Sequence, residues 1–187
     1  YMIEGETSPQ HAFARAAAAF ADDADHAQRI YEYVTRGWFM FATPLLSNGG
    51  TQRGLPISCF LNYMADSREG INEHYKETSW LSSLGGGVGG YAGVRGPEAT
   101  SKGSASSGGI PFISILDRYM LAFSQGKTRR GSYASYMDVS HPEIDEFLEI
   151  RKPSGGDANR KALNLHHAVN LSDDFMFAVM NDQMWNL

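Results

Sequence analysis

The spacing of apolar residues predicts two helices before any strand. Ser8 and Pro9 begin a run of strong helix formers that continues to Phe20, with Ser8 as the expected cap and Pro9 at the first helical position. A second helix is predicted over residues 23–36, where apolar residues recur every three or four positions and Gly37 follows as a stop. The chain therefore opens with a helical segment.

Beyond residue 56 the pattern alternates between strands and helices. Strands are predicted over residues 57–63, 91–95, 132–139 and 163–171. Helices are predicted over residues 69–84, 111–124 and 140–151, and from Ser172 onward. Residues 43–56 are dense in turn formers but contain apolar residues, which indicates an ordered loop. Strand–helix–strand units are typical of a parallel sheet, so the expected fold class is α/β.

Composition narrows the classes of function. The 187 residues carry a net charge of −5, which disfavours non-specific nucleic-acid binding because that requires a clustered basic face. No apolar run approaches the length of a membrane span, so the cytoplasm is the default location. One cysteine cannot form an internal disulfide. The chain begins at Tyr1 rather than Met, and we expect it to be a fragment of a longer protein.

The only cysteine, Cys59, lies on the strand predicted over residues 57–63, between two glycine-containing segments. Alternation along a strand places Ser58 and Cys59 on opposite faces. An isolated cysteine is more often a buried small hydrophobic residue than a reactive group, so the residues alone leave both roles open. Residues 43–51 offer hydroxyls and backbone amides that suit a phosphate or ribose, although a turn is the commoner interpretation.

Other polar and glycine-rich segments favour structural roles when taken alone. The glycines of residues 85–90 lack both the Rossmann spacing and the Gly-Lys-Ser/Thr ending, which disfavours a Rossmann-type dehydrogenase. A helix stop with close chain packing is the more economical interpretation. Neither His141 with Glu143 and Asp145 nor the adjacent residues 166–167 have the spacing of metal ligands, so no metal site is expected.

Taken in order, these segments resemble the large subunit of ribonucleotide reductase. The motifs that carry the resemblance are residues 43–51, the run Ser58-Cys59-Phe60-Leu61, the glycines of 85–90, and residues 138–147 and 158–161. The resemblance implies an α/β fold that is part of a ten-stranded α/β barrel. Residues 1–37 would end an N-terminal helical domain, and residues 38–187 would form the first portion of the barrel.

The resemblance also implies a chemistry. Members of this family reduce ribonucleotides to deoxyribonucleotides for DNA synthesis, using a thiyl radical and a redox-active cysteine pair. Cys59 matches one cysteine of that pair, and its partner is not in this sequence. Thr43, Ser58 and Gly87, together with Cys59, match positions that contact the substrate. The radical-bearing loop and the C-terminal tail of the family are also missing, so these 187 residues alone are expected to be inactive.

Two further sets match positions that serve allosteric control. The first would bind a deoxynucleoside triphosphate or ATP effector and comprises Asp66, Ser67, Arg68, Arg95, Lys102 and Gly103. The second would form the loop that relays the identity of the effector to the substrate and comprises Gln125, Gly126, Lys127, Arg129 and Arg130. Either Arg129 or Arg130 would reach the substrate base. In such a system, effector and substrate must affect each other's affinity reciprocally.

The implied partners are a ribonucleotide substrate, a small metal-containing subunit that generates the radical, thioredoxin or glutaredoxin, and a second large subunit in a homodimer. The aerobic class I enzymes are the preferred assignment. The cobalamin-dependent class II enzymes, which use adenosylcobalamin, remain an alternative. So does a nucleotide-binding regulatory module without a redox role. Direct nucleic-acid and membrane partners are not expected.

Overall fold

The computed structural model describes residues 1–98, 103–123 and 131–187, which form two compact units. The first unit comprises Tyr1–Ser58 with Leu84–Gly86, and the second comprises Cys59–Ser83 with Gly87–Leu187. The domain division predicted after residue 37 falls inside the first unit and stays a prediction.

The first unit is helical, as the sequence predicts. Its helices are α1 (Pro9–Phe20), α2 (Ala24–Thr35) and α3 (Thr43–Asn48). The Asp23 side chain caps α2 by accepting a hydrogen bond from the His26 amide at 2.7 Å. Ser8 occupies the predicted cap position of α1, with Pro9 at the first helical position, but its side chain makes no cap hydrogen bond. The Ser8 backbone carbonyl accepts a hydrogen bond from the His11 amide at 3.1 Å.

Helix α3 was not expected, because residues 43–56 were predicted to be a loop. Pro44 lies in its first turn, where the missing amide hydrogen has no cost. Gly49 follows the helix, and its amide donates to the Leu45 carbonyl at 2.9 Å. Gly50 then turns the chain at a φ of 67°. Contacts from α1 hold this short helix, and these contacts are not visible in local sequence.

The second unit contains a parallel sheet in which each strand lies beside the preceding one. The strands are β1 (Cys59–Met64), β2 (Gly87–Ala92), β3 (Ser132–Asp138) and β4 (His166–Asn170). The intervening and following helices are α4 (Arg68–Ser83), α5 (Ile110–Ala122), α6 (Ile144–Leu148), the 3-10 helix Ala158–Arg160 and α7 (Asp173–Met180). This arrangement confirms the α/β class.

Strand β2 begins four residues before the predicted strand, so Gly87, Gly89 and Gly90 belong to it, whereas Gly85, at a φ of 87°, follows α4 as the predicted helix stop. Glycine weakens a strand on intrinsic grounds, but here neighbouring side chains occupy the space that a side chain would take. A Cβ at Gly90 would overlap the Tyr133 hydroxyl and lie 2.8 Å from His74 Cε1. Tyr133 and His74 therefore leave no room for a side chain at Gly90, and glycine allows the strand to pass close to them.

The core lies between the sheet and its helices. Val88, Tyr133 and Met137 are buried on one sheet face and cluster with Ile113 and Leu116 of α5. Apolar burial of this kind is the main stabilising term for the unit. Helix α6 is shorter than the predicted span of 140–151, because residues 139–143 turn before it begins.

A buried carboxylate ties α5 to the entry of β4. Asp117 accepts hydrogen bonds from the backbone amides of Asn164 and Leu165, both at 2.7 Å, and from the Asn164 side chain at 2.9 Å. A buried carboxylate needs such donors because an unpaired one would be strongly destabilising. Asp117 therefore fixes the connection that leads into β4.

Within the described ranges, no helix is both long and apolar enough to cross a membrane.

Candidate functional site

Cys59 is the first residue of β1, and its side chain is exposed. Its Cα partner across the sheet is Gly87, the first residue of β2, and Gly87 in turn pairs with Ser132 of β3. Side chains alternate along a strand, so Cys59 shares its sheet face with Leu61 and Tyr63. The thiol thus stands at one edge of the sheet, beside a strand residue without a side chain.

The same face carries a recess of about 270 Å³ further along the strands. Gly89 forms part of its floor, since a Cβ there would lie 2.8 Å from Leu61 Cδ2 and 3.3 Å from Tyr136 Cε2. The residues that line the recess come from all four strands and are Leu61, Asn62, Gly89, Tyr91, Tyr136 and Asn170. Small residues on β2 therefore create a concave surface on the sheet face that also bears the cysteine.

Tyr91 and Asp138 form the main polar contact beside this recess. The Tyr91 hydroxyl donates to Asp138 Oδ2 at 2.5 Å, and Asn170 Nδ2 donates to Asp138 Oδ1 at 3.3 Å. Tyr63 stacks on Tyr91 with ring centroids 5.6 Å apart. The hydrogen bond to Asp138 is the main cause that raises the pKa of Tyr91 to about 12. Tyr91 is therefore a neutral phenol at physiological pH.

Sequence reasoning missed Tyr91 and Asp138. The alternation of side chains along a strand contains the signal. Once Cys59 is paired with Gly87, the same register places Tyr63, Tyr91 and Tyr136 side by side on neighbouring strands. That alignment requires the register of β2, which cannot be obtained when the start of β2 is predicted four residues too late. The row is thus a product of pairing rather than of any local motif.

Thr43 and Ser58, two of the predicted substrate contacts, lie in the first unit, whereas Cys59 and Gly87 lie in the second. Thr43 is the half-buried first residue of α3. The segment that follows is closely hydrogen-bonded: Asn48 Nδ2 donates to the Leu55 carbonyl at 2.8 Å, and Thr51 Oγ1 donates to the Asn48 carbonyl at 2.7 Å. Thr43 thus belongs to a well-ordered segment.

The structure brings together two of the predicted effector-binding residues. Arg95 Nε donates to Asp66 Oδ2 at 2.5 Å, and Arg95 Nη1 donates to Glu98 Oε1 at 3.0 Å. The bond to Asp66 is the largest cause of a raised pKa of Arg95. The Arg95 and Asp66 side chains are 48% and 32% exposed, so solvent and ligands can reach both. The acid and the base predicted to serve one ligand are paired with each other.

The other members of the effector set have different positions. The Ser67 hydroxyl caps α4 by accepting a hydrogen bond from the Gly70 amide at 2.9 Å. Arg68 is the exposed first residue of α4. Gly103 has a φ of 75°, and a Cβ there would meet no atom of the described residues within 4 Å. Lys102 and the whole predicted relay loop, from Gln125 to Arg130, lie outside the described residues.

The histidines and carboxylates that lack the spacing of metal ligands make contacts with other residues of the fold. His141 Nε2 lies 2.9 Å from the Val94 carbonyl oxygen. Glu143 accepts from the Gly109 amide at 2.6 Å and from Arg160 Nη2 at 2.8 Å. Of the adjacent histidines, His167 packs edge-on against Phe147 with ring centroids 5.4 Å apart, and His166 is exposed. Residues 1–98, 103–123 and 131–187 contain no group of three acidic, histidine or cysteine side chains suited to a metal ion.

Comparison with known proteins identifies the chain's relatives. Residues 57–187 match the family model of the ribonucleotide reductase barrel domain, and residues 1–54 match that of its all-alpha domain. The chain is 48% identical over 177 residues to the ribonucleoside-diphosphate reductase large subunit of Invertebrate iridescent virus 3, covering 94% of this chain and 27% of that protein. It is 37% identical over 186 residues to the alpha subunit of the Helicobacter pylori (strain J99) enzyme, covering 96% of this chain and 24% of that protein.

A solved structure agrees with these relatives. The class Id ribonucleotide reductase alpha subunit of Actinobacillus ureae superposes with a TM-score of 0.76 and 29% sequence identity, covering 97% of this chain and 33% of that one. The chain thus spans about a quarter of the length of the two relatives above and a third of the solved structure. The sheet and the helices of residues 57–187 belong to the barrel domain, α1 to α3 belong to the all-alpha domain, and the chain is a member of the family of ribonucleotide reductase large subunits.

Proposed function

We propose that this chain is part of a ribonucleoside-diphosphate reductase large subunit and that Cys59 supplies reducing equivalents to the ribose of a bound ribonucleotide. The observation that carries the proposal is the exposed thiol at the first position of β1, paired across the sheet with Gly87. A cysteine buried in the core could not meet a substrate. The names of the relatives support the diphosphate as the substrate form.

The chemistry proposed for Cys59 is a two-electron reduction. Cys59 and a second thiol would together lose two electrons and two protons and form a disulfide. One proton would leave with the C2′ hydroxyl as water, and the other proton and the two electrons would form a C2′–H bond in place of the broken C2′–O bond. Cys59 is the only cysteine of these 187 residues, so the second thiol must come from elsewhere. Thioredoxin or glutaredoxin would then restore both thiols by disulfide exchange.

The proposal includes the remaining substrate contacts. Thr43, Ser58 and Gly87 are proposed to hold the ribonucleotide, in agreement with the resemblance. Support comes from the hydrogen-bonded segment after Thr43 and from Gly87, which has no side chain of its own and pairs with Cys59 across the sheet. A hydroxyl and exposed backbone amides suit a phosphate or a ribose.

The effector site is proposed to include Asp66, Ser67, Arg68, Arg95, Lys102 and Gly103. An arginine fork suits phosphate oxygens, and a carboxylate accepts hydrogen bonds from ribose hydroxyls. Since Arg95 now pairs with Asp66, an effector would have to displace that ion pair. The effectors would be ATP and deoxynucleoside triphosphates, and Gln125, Gly126, Lys127, Arg129 and Arg130 are proposed as the loop that relays their identity.

Class I is the proposed class, supported by the class Id neighbour. In that class a small metal-containing subunit supplies the radical, and the large subunit is expected to form a homodimer. The cobalamin-dependent class, with adenosylcobalamin, is the alternative. A cytoplasmic location stays a prediction.

Replacement of Cys59 by serine in the complete enzyme tests the redox role. We expect Cys59→Ser to retain nucleotide binding and to lose thioredoxin-supported multiple turnover, because a hydroxyl cannot form the disulfide. Ser132→Ala, which changes an exposed residue in the same row of the sheet, is the matched control and should retain turnover. An unchanged steady-state rate in Cys59→Ser would remove the assigned role.

A nucleotide-binding regulatory module without redox chemistry is the second candidate, favoured by the exposed Asp66–Arg95 pair. The two functions differ in the behaviour of Asp66→Ala and Cys59→Ser. In a regulatory module, Asp66→Ala would lower the affinity for the effector, as measured by calorimetry. Cys59→Ser would have no effect on deoxyribonucleotide formation, because such a module does not carry out that reaction. Equal losses of effector and substrate affinity in Asp66→Ala would argue against the allosteric role.

A further inference from the structure

We propose that Arg15 is a positioning residue for Thr43 and acts through the short helix α3. The inference rests on the proposed function, in which Thr43 contacts the substrate. All the residues it uses lie in the first compact unit. Arg15 and Glu6 lie outside every motif that the sequence indicates, whereas the carbonyl partners of Arg15, Leu46 and Gly49, lie within residues 43–51.

Arg15 joins α1 to the end of α3. Its side chain is 11% exposed and departs from α1. Nη1 donates to the Gly49 carbonyl at 2.5 Å, and Nη2 donates to the Leu46 carbonyl at 3.0 Å. The last carbonyls of a helix have no partner within the helix, and a cation is favoured beside them. The guanidinium therefore completes the C-terminal end of α3.

Glu6 fixes the direction of the Arg15 side chain. Arg15 Nε donates to Glu6 Oε1 at 2.6 Å, and the Glu6 side chain is only 9% exposed. This hydrogen bond is the main cause that lowers the pKa of Glu6. Glu6 is consequently ionised throughout the physiological range, and the guanidinium is held between one carboxylate and two carbonyls.

Helix α3 depends on such outside contacts because it has six residues. Helices this short are not stable in water by themselves. Its N-cap residue, Ala42, contributes no side-chain bond. The turn beyond it also rests directly on α1: a Cβ at Gly49 would lie 2.7 Å from Phe20 Cε2, and a Cβ at Gly50 would lie 2.9 Å from Arg15 Cγ. The contacts with α1 thus set where α3 lies.

A shift at the C-terminal end of α3 reaches Thr43 because six helical residues span only about 9 Å and move as one rigid piece. Lysine cannot replace Arg15 in this role. Its ammonium group is a point donor, whereas the planar guanidinium reaches two carbonyls and a carboxylate in fixed directions. Loss of the guanidinium hydrogen bonds should therefore shift the position of Thr43 but leave its side chain in the protein.

The test uses steady-state kinetics of the complete enzyme. We expect Arg15→Lys to raise the KM for the ribonucleotide about tenfold while kcat stays within about twofold, since the lost interaction contributes equally to the ground state and the transition state. Arg29→Lys is the matched control, because Arg29 is an exposed arginine of the adjacent helix α2, and its KM should not change. Effector affinity should be the same in all three proteins.

A double-mutant cycle separates positioning from simple stability. If Arg15 acts through Thr43, Arg15→Lys adds no further rise in KM to Thr43→Ala, although it lowers Tm in both backgrounds. A rise in KM in Thr43→Ala together with an unchanged KM in Arg15→Lys, or independent effects of the two changes, would overturn the inference alone. A wild-type KM in Thr43→Ala would instead remove the substrate role of Thr43, and the inference with it.

Glu6→Gln provides a second variant in case Arg15→Lys does not fold. It leaves both carbonyl bonds of Arg15 in place and removes only the ionic partner. We expect a rise in KM of about threefold, in the same direction as Arg15→Lys and again without a matching fall in kcat. A wild-type KM in Glu6→Gln, with Arg15→Lys unfolded, would count against positioning by this network.

Discussion

Two arginine–carboxylate pairs in the second unit have the same chemistry but differ in their exposure to solvent. Glu143 and Arg160 have side chains that are 4% and 25% exposed, whereas Asp66 and Arg95 are 32% and 48% exposed. Glu143 also accepts from the Gly109 amide, and Arg160 also pairs with Glu146. A buried pair of this kind is expensive to break, while an exposed pair contributes little to stability.

The difference indicates which pair a ligand can displace. Removal of Glu143 leaves the buried Gly109 amide without its acceptor and deprives Arg160 of one of its two carboxylate partners. Separation of Asp66 from Arg95 leaves two groups that water or a nucleotide can solvate. The first pair is therefore structural, and the second is suited to exchange its partner for a phosphate and a ribose.

The strongest test of this comparison is a pair of alanine substitutions. We expect Glu143→Ala to lower the apparent free energy of unfolding of the complete large subunit by about 3 kcal/mol, because the Gly109 amide and the Arg160 guanidinium lose a buried acceptor. Asp66→Ala should leave the urea denaturation midpoint unchanged within error. Equal shifts in the two variants would contradict the comparison.

The comparison extends to a buried neutral pair, His74 with Tyr133. Their Nε2 and hydroxyl oxygen lie 2.8 Å apart beneath Gly90. We expect Gly90→Ala to destabilise the protein by about 2 kcal/mol, since the new methyl group would overlap the Tyr133 hydroxyl. Gly109→Ala is the control, because a Cβ there meets its neighbours at no less than 3.6 Å. Thermal denaturation of both variants gives the measurement.

The exposed pair should respond in ligand binding instead. We expect Arg95→Lys to weaken effector binding about tenfold, because lysine lacks the fork that suits phosphate oxygens. The substrate KM without effector should stay the same. Calorimetric titration with a deoxynucleoside triphosphate measures the first quantity, and an unchanged affinity would show that Arg95 does not contact the phosphates.

The smallest expected effect is a pH dependence of stability from His74. Burial is the main cause that lowers its pKa below the ordinary 6.5, against smaller opposing contributions from the Tyr63 backbone and Glu77. Below pH 6.5 the unfolded chain therefore binds a proton that the folded chain excludes, and stability falls as the pH decreases. His74→Gln should flatten this part of the curve. Denaturation midpoints between pH 5 and 8 would test it, and identical slopes would contradict the assignment.

Local signals predicted the ends of several elements correctly. Ser172 caps α7 as expected, by accepting a hydrogen bond from the Phe175 amide at 3.2 Å, and α2 (Ala24–Thr35) lies within one residue of its predicted bounds. The α/β class followed from the strand–helix alternation. These features depend on a few neighbouring residues or on long apolar patterns, so the sequence displays them directly.

Features that depend on distant partners were missed. Helix α3 is held by Arg15, which lies 31 and 34 positions before the two carbonyls it contacts. Half of the residues of strand β2 are glycine, and the side chains of Leu61, Tyr133 and Tyr136 fill the space beside them. The Tyr91–Asp138 bond joins residues 47 positions apart. In each case, the feature depends on contacts between residues that are far apart in the sequence, and local propensity does not reveal such contacts.

The consecutive order of the four parallel strands has a practical consequence for recombinant work. In the part of the chain that the structure describes, β1 and β4 each pair along one side only. The backbone groups on their outer sides can recruit other polypeptides by lateral strand addition. Production of residues 1–187 in isolation should consequently favour inclusion bodies, and a fusion partner or co-expression with the remaining barrel segments is the rational remedy.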